Sequence, residues 1–337
     1  MAANLSPEYK DAEAAYRKAR DPEERLRWLR EMLRTIPKHK GTEHLQADLK
    51  TRIKEMSEEA AGPKKGGRAA LSVAVRAEGA AQIALLGPPN SGKSSLHAQL
   101  TGSNPEVGPY PFTTKRPLPG MLEHAEVQFQ LVDLPPISAT SMEPWMPNAL
   151  VHADAALLVV DAGDPAAMDD LPAIRERLAE KHVTLVPNAD EAAPAALEGA
   201  SLDARLLPTL LVATKRDLMG DGAAQELAVL LELTGLPFES VLVSAKTQVG
   251  LELVGPRLFE MLHIVRVYTK APGKPREGGR PFAVRRGATV QDVARLVHRG
   301  LASEVRSARI WGEGCFAGQQ VGRDHVVADR DLIELHW

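Results

Sequence analysis

The chain has 337 residues, 44% of them hydrophobic and 25% charged, with a formal net charge of -3 at pH 7. That length allows two or three domains with a sizeable core, and the mild negative balance excludes wholesale attraction to nucleic acid or membrane, so any basic footprint must be local. The single cysteine, Cys315, excludes an intramolecular disulfide and a cysteine-rich zinc site. No apolar run approaches membrane-spanning length and the first residues carry no leader-type apolar core, so a cytoplasmic protein without a membrane partner is expected.

Residues 1 to about 60 read as helix. Asp21-Pro22-Glu23-Glu24 is a helix start, with Asp as N-cap, Pro at the first position and acids in the first turn. Leu26, Leu29, Leu33 and Ile36 make one apolar stripe; Leu45, Leu49, Ile53 and Met56 make a second after Gly41-Thr42. A helical hairpin or coiled-coil arm follows from the pair. Its tip, Lys38-His39-Lys40, is either an RNA-phosphate contact or a solvated turn, and 61–68 is a basic linker.

From about residue 78 strands and helices alternate, the pattern of an α/β domain with a largely parallel sheet. Strands are expected at 82–86, 121–122, 127–132, 155–160, 209–212 and 240–243, and helices at 171–181, 223–234 and 250–264. The Ala/Pro/acid-rich stretch 182–208 reads as a surface insertion. After about Val265 come two strands, a helix opened by the capping-box-like Thr289-Val290-Gln291-Asp292, and two further strands, the outline of a small α+β domain. The expected domains are 1–68, 78–264 and 265–337.

The chemistry centres on Gly87-Pro88-Pro89-Asn90-Ser91-Gly92-Lys93-Ser94-Ser95, between a strand and a helix. The G-x-x-x-x-G-K-S spacing is that of a P-loop, whose backbone N–H groups and helix N-terminus cradle phosphates. Lys93 would reach the β- and γ-phosphates, and the Ser94 hydroxyl would enter a Mg²⁺ shell. Downstream, Thr113 or Thr114 in Tyr110-Pro111-Phe112-Thr113-Thr114 offers a hydroxyl to Mg²⁺, and Asp133 ends a strand as a Walker-B carboxylate. Thr214-Lys215-Arg216-Asp217 then places Asp217 to accept two protons that guanine presents and adenine does not, with Lys215 along the base. In Ser244-Ala245-Lys246 a backbone N–H can donate to guanine O6. A site that pairs these groups selects GTP and GDP over adenine nucleotides.

These motifs resemble those of the Obg-like GTPases, most closely the DRG branch, over nearly the whole chain. Lys38-His39-Lys40-Gly41-Thr42 is similar to that branch's N-terminal helical segment, and the motif at 110–114 to its switch I. Val267-Tyr268-Thr269-Lys270, Ile310-Trp311-Gly312 and Val321-Gly322-Arg323-Asp324-His325 are similar to its TGS domain. The resemblance implies a ubiquitin-like β-grasp for the tail, and a switch that works with the ribosome or RNA, with a protein regulator as a further partner and no DNA. It also implies that Asn90 can hold a K⁺ beside the phosphates.

Four departures stand out. Pro136 occupies the glycine position of the family's Asp-x-x-Gly, where it supplies no N–H and fixes φ. Ile137-Ser138-Ala139-Thr140-Ser141-Met142 replaces a glycine-rich run. Thr214 replaces an Asn whose amide would brace the P-loop and base, and 182–208 is too short for the domain the branch inserts before its guanine motif. Two functions remain open: a slow GTP hydrolase, with Lys93, Thr113, Thr114 and Asp133 as its catalytic set, or a GTP/GDP-binding adaptor that scarcely hydrolyses.

Overall fold

In a computed structural model of the chain, the residues described are 7–18, 22–36, 49, 75–103, 116–192, 204–275, 278–298, 300 and 304–337. The chain divides into two units, Met1–Ser72 and Val73–Trp337. In the first, helix α1 (Pro7–Lys18) packs with α2 (Pro22–Thr35). Tyr9, Ala12, Leu29, Met32, Ile36 and Leu49 bury one another there, so the expected stripe does face a partner. The tip at 38–40, the linker 61–68 and, apart from Leu49, the second expected stripe lie outside the described residues.

The second unit opens with strand β1 (Ala81–Leu86) and α3 (Lys93–Thr101), then β2 (Leu118–His124), β3 (Val127–Asp133), α4 (Met146–His152), β4 (Ala155–Asp161) and α5 (Ala167–Ala179). It continues with β5 (Val183–Val186), β6 (Arg205–Thr214), α6 (Ala223–Thr234), β7 (Ser240–Leu242) and α7 (Val254–Met261). The sheet runs β2-β3-β1-β4-β6-β5, with β7 also on β6; its pairs are parallel except β2 with β3. Uniformly buried strands such as Ala81–Leu86, apolar but for Gln82, suit a sheet covered on both faces. Ala84 and Leu86 enter one core cluster, Ile83 and Leu85 the other.

Register decides where the site forms. Leu85 pairs with Asp133, Leu86 with Leu158 and Asp161 with Thr214, so the C-terminal ends of β1, β3, β4 and β6 share one edge of the sheet. Loops leaving such an edge converge on a ligand crevice.

Three expectations need correction. Residues 182–208 are not simply a surface insertion: Val183, Leu185 and Val186 are buried in β5, which pairs with the first residues of β6. The alternating Val183-Thr184-Leu185-Val186 is a strand pattern that its polar neighbours obscured. The helix expected at 250–264 ends at Met261, and Ile264 already starts the next strand. Helix α4, only seven residues long, was not anticipated.

A second sheet holds β8 (Ile264–Lys270), β9 (Phe282–Arg285), β10 (Ser307–Trp311), β11 (Gln319–Val321) and β12 (Asp331–His336), in the order β11-β10-β12-β8-β9. Helix α8 (Val290–Val297) buries Val290, Val293 and Ala294 against Val267, Ile333 and their neighbours. Thr289 caps it in a capping box with Asp292. With β8 and β12 parallel at the centre and one helix across, this is the β-grasp expected for the tail. β11 was missed because Gln319-Gln320 has no strand signature.

The two sheets are joined within this unit. The β2–β3 turn, Ala125-Glu126, has both residues at positive φ (50° and 69°), the twist of a tight two-residue hairpin. Arg266 of β8 donates to the Ala125 carbonyl (3.3 Å) and Tyr268 to Glu126 Oε1 (2.9 Å).

Candidate guanine-nucleotide site

The P-loop is shaped by close backbone contacts. Gly87 is at φ 149°, and a Cβ there would run into the Val159 carbonyl, so β1 can pass β4 at this point only as glycine. Asn90, exposed and at φ 61°, and Gly92 at φ 87° turn the loop into α3. Lys93 is 6% exposed, and its Nζ donates to the Gly87 and Pro88 carbonyls (3.1 and 3.0 Å). Burial brings its pKa down to about 8, against the pull of Asp133.

Ser94 Oγ donates to Asp133 Oδ2 at 2.6 Å. Asp133 is buried, which raises its pKa; the Ser94 bond, Lys93 and His97 oppose that rise. Its Oδ1 is buried without a hydrogen-bond partner. A hydroxyl and an under-satisfied carboxylate are hard oxygen donors, so the residues present fit Mg²⁺. Thr113 and Thr114 lie outside the described residues.

His97, not anticipated from the sequence, ties α3 to its surroundings. It is fully buried, with Nε2 3.2 Å from the Leu131 carbonyl and Nδ1 3.2 Å from Ser103 Oγ. Desolvation lowers its pKa.

On the other side of the P-loop, a cavity of about 810 Å³ is lined by Gly92, Ser95, Thr214, Lys215, Asp217 and Ala245, among others. Thr214 Oγ1 donates to the Ser91 carbonyl (2.6 Å), so the brace expected to be lost with the Asn is kept by a hydroxyl. Ser244 lies buried behind Asp217 and donates Oγ to its Oδ1 (2.7 Å), the largest reason that carboxyl's pKa is lowered. Lys246 Nζ stands 3.9 Å from Asp217 Oδ2. The Ser244 N–H is bonded to the Val249 carbonyl; Ala245 and Lys246, which follow it, line the cavity. Ser91 is buried with its Oγ unpartnered. The sequence-predicted residues thus gather in two adjoining groups, Lys93, Ser94 and Asp133 on one side and Thr214, Lys215, Asp217, Ala245 and Lys246 on the other, with Gly92 between.

After Asp133 the chain is anchored by burial and hydrogen bonds. Leu134 and Ile137 are buried in the core, and the Ile137 N–H donates to the Gly87 carbonyl (3.0 Å). Arg177 of α5 donates to the Ala139 carbonyl, and Ser138 and Ser141 bond each other's backbone.

Two family models match the chain: a 50S ribosome-binding GTPase over residues 82–189 and a TGS domain over 265–336. An uncharacterized GTP-binding protein of Methanocaldococcus jannaschii is 29% identical over 366 aligned positions, covering 93% of this chain and 92% of that protein. The developmentally-regulated GTP-binding protein 2 homolog of Dictyostelium discoideum is 25% identical, covering 90% and 96%. The chain is a GTP-binding protein of the DRG type. A further relative of this DRG-type chain, an uncharacterized GTP-binding protein of Halobacterium salinarum, is 26% identical over 93% of the chain and 98% of its own length. The 366 aligned positions exceed the 337 residues present here, so the archaeal relative carries segments that this DRG-type chain lacks. Among the described residues no helix is long and apolar enough to cross a membrane.

Proposed function

We infer that this chain is a slow, Mg²⁺-dependent GTP hydrolase of the cytoplasm whose nucleotide state is reported to the ribosome or to RNA. The observation that carries the enzymatic part is the cluster of Lys93, Ser94 and Asp133. A buried ammonium stands beside a carboxylate that has one oxygen on the serine and the other unpartnered. When bound, Mg²⁺ neutralises phosphate charge; Ser94, Asp133 and Thr113 or Thr114 would hold it. Lys93 and the P-loop amides stabilise charge on the γ-phosphate as water attacks in line. Asp217, braced by Ser244, accepts the two guanine protons, Lys215 lies along the base, and the amides of Ala245 and Lys246 face O6. Asn90 supplies a K⁺ ligand. The boundaries 1–68, 78–264 and 265–337 separate a helical module, the GTPase domain and the TGS domain, with the first and last contacting RNA or a regulator.

The second reading, an adaptor that binds GTP and GDP without appreciable turnover, is favoured by the segment after Asp133. Pro136 offers no N–H to a γ-phosphate, and Ile137 is bonded to Gly87 and buried. Single-turnover GTP hydrolysis in KCl and in NaCl separates the two. Slow hydrolysis, faster in KCl with the gain lost in Asn90→Ala, supports the enzyme; intact GTP affinity with no hydrolysis in either salt supports the adaptor. Ribosome co-sedimentation that weakens as salt rises tests the RNA-linked part.

A further inference from the structure

Lys215 occupies an unusual backbone position for a residue with a side chain: its φ is 59°, in the left-handed region. It directly follows β6, and its Nζ lies 2.8 Å from Oδ2 of Asp161, the last residue of β4. Asp161 pairs in register with Thr214, so the ladder itself sets carboxylate and ammonium side by side. Asp161 is fixed in turn, because its Oδ1 accepts the Gly163 N–H (3.2 Å). Both partners are partly screened from solvent, Asp161 at 19% and Lys215 at 35% side-chain exposure. Lys215 lines the 810 Å³ cavity; Asp161 is not among the residues that line it.

We propose that Asp161 is a positioning residue for base recognition, acting through Lys215. A lysine stem has four rotatable bonds, and a stem free in solvent must lose that freedom when a ligand packs on it. With the backbone held at one end and the ammonium held by Asp161 at the other, the methylenes are already stretched along the wall of the cavity. Part of the ordering cost then falls on folding rather than on nucleotide binding. The inference rests on the reading of this cavity as the guanine subsite. Asp161 touches neither phosphate-side group, so GDP and GTP feel its loss equally.

The test is a double-mutant cycle on the full chain, titrated with fluorescent GDP and by competition with GTP. Asp161→Asn keeps the shape of the side chain and the acceptor for Gly163 while removing its charge. It is expected to weaken GDP and GTP by the same factor, roughly three- to fivefold, the size of a partly exposed ion pair. Lys215→Ala is expected to weaken both more. In the double variant the loss equals that of Lys215→Ala alone, because Asp161 then has nothing to hold. Losses that multiply in the double variant, or wild-type affinity in Asp161→Asn, would overturn the proposal. Thermal unfolding without nucleotide keeps a structural effect visible: a Tm drop with affinity unchanged also overturns it. Absence of GDP binding by the wild-type chain would instead remove the guanine-subsite reading on which it stands.

Discussion

At the scale of the residue, Lys93 has the most to say about pH. Its ammonium is buried among loop carbonyls, and burial takes its pKa from 10.5 to about 8. Phosphate binding requires the charged form, so nucleotide binding above that pH must be accompanied by proton uptake. Affinity for GDP is therefore expected to be flat below about pH 7.5 and to fall about tenfold per pH unit above pH 8. Isothermal titration across that range checks it; an affinity constant to pH 9.5 would show that the ammonium is not the phosphate ligand. The sign for the nucleotide-free fold is opposite. From about pH 8 towards 10.5 the unfolded chain holds a proton that the folded chain has released, so stability rises with pH. The P-loop, Asp133, Asp217 and Ser244 were legible in the sequence because each ends a recognisable strand at a motif spacing. His97 and Asp161 were not. A histidine inside a short helix and an aspartate ending an apolar strand carry no signal until the fold shows what lies opposite.

At the scale of the element, the segment from Leu134 to Met142 is where this chain departs furthest from a γ-phosphate sensor. Two buried apolar anchors, a bond to the P-loop and the Arg177 tether hold it in one arrangement. Pro136→Gly restores an N–H and a free φ at the position where the family keeps its glycine. The single-turnover rate is expected to rise roughly tenfold or more, the order of one added donor to a transferring oxyanion. A stability loss of about 1 kcal/mol from the more flexible unfolded chain goes with it. An unchanged rate would mean that Pro136 does not limit turnover. The proline was readable from sequence; the burial of Ile137 was not, since one isoleucine among Ser, Ala and Thr has no periodicity to place it. The sequence was equally silent on β5, where four residues alternate too briefly to outweigh the polar stretch around them.

At the scale of the molecule, the second sheet is fastened to the first through the β2–β3 turn, and Arg266 is the centre of the joint. Its guanidinium bonds Asp329 through Nε (3.0 Å) and Nη2 (2.5 Å) and the Ala125 carbonyl through Nη1, and it lies 5.3 Å from the centre of the Phe259 ring. Arg266→Ala leaves a carboxylate and a carbonyl without their donor and is expected to cost about 2–3 kcal/mol. Arg266→Lys is expected to recover only part of that, because an ammonium lacks the fork that spans both acceptors. Thermal unfolding reads the loss, and separation into two transitions would report that the TGS domain has come away; a Tm equal to wild type would contradict the joint. A small α+β tail was legible from strand and helix rhythm, and its β-grasp form from the family resemblance. The docking was not, since Arg266 reads in sequence only as a lone charge among the valines of its strand.

The central claim, that the cavity beside the P-loop recognises guanine through Asp217, is tested most directly by the base preference of Asp217→Asn. Wild-type chain is expected to bind GTP with unlabelled ATP competing poorly. The variant is expected to lose GTP and gain xanthosine triphosphate, whose base carries a carbonyl where guanine has its amine and so accepts from the new amide. Equal competition by ATP and GTP in the wild type, or a variant that still prefers GTP, would contradict the account.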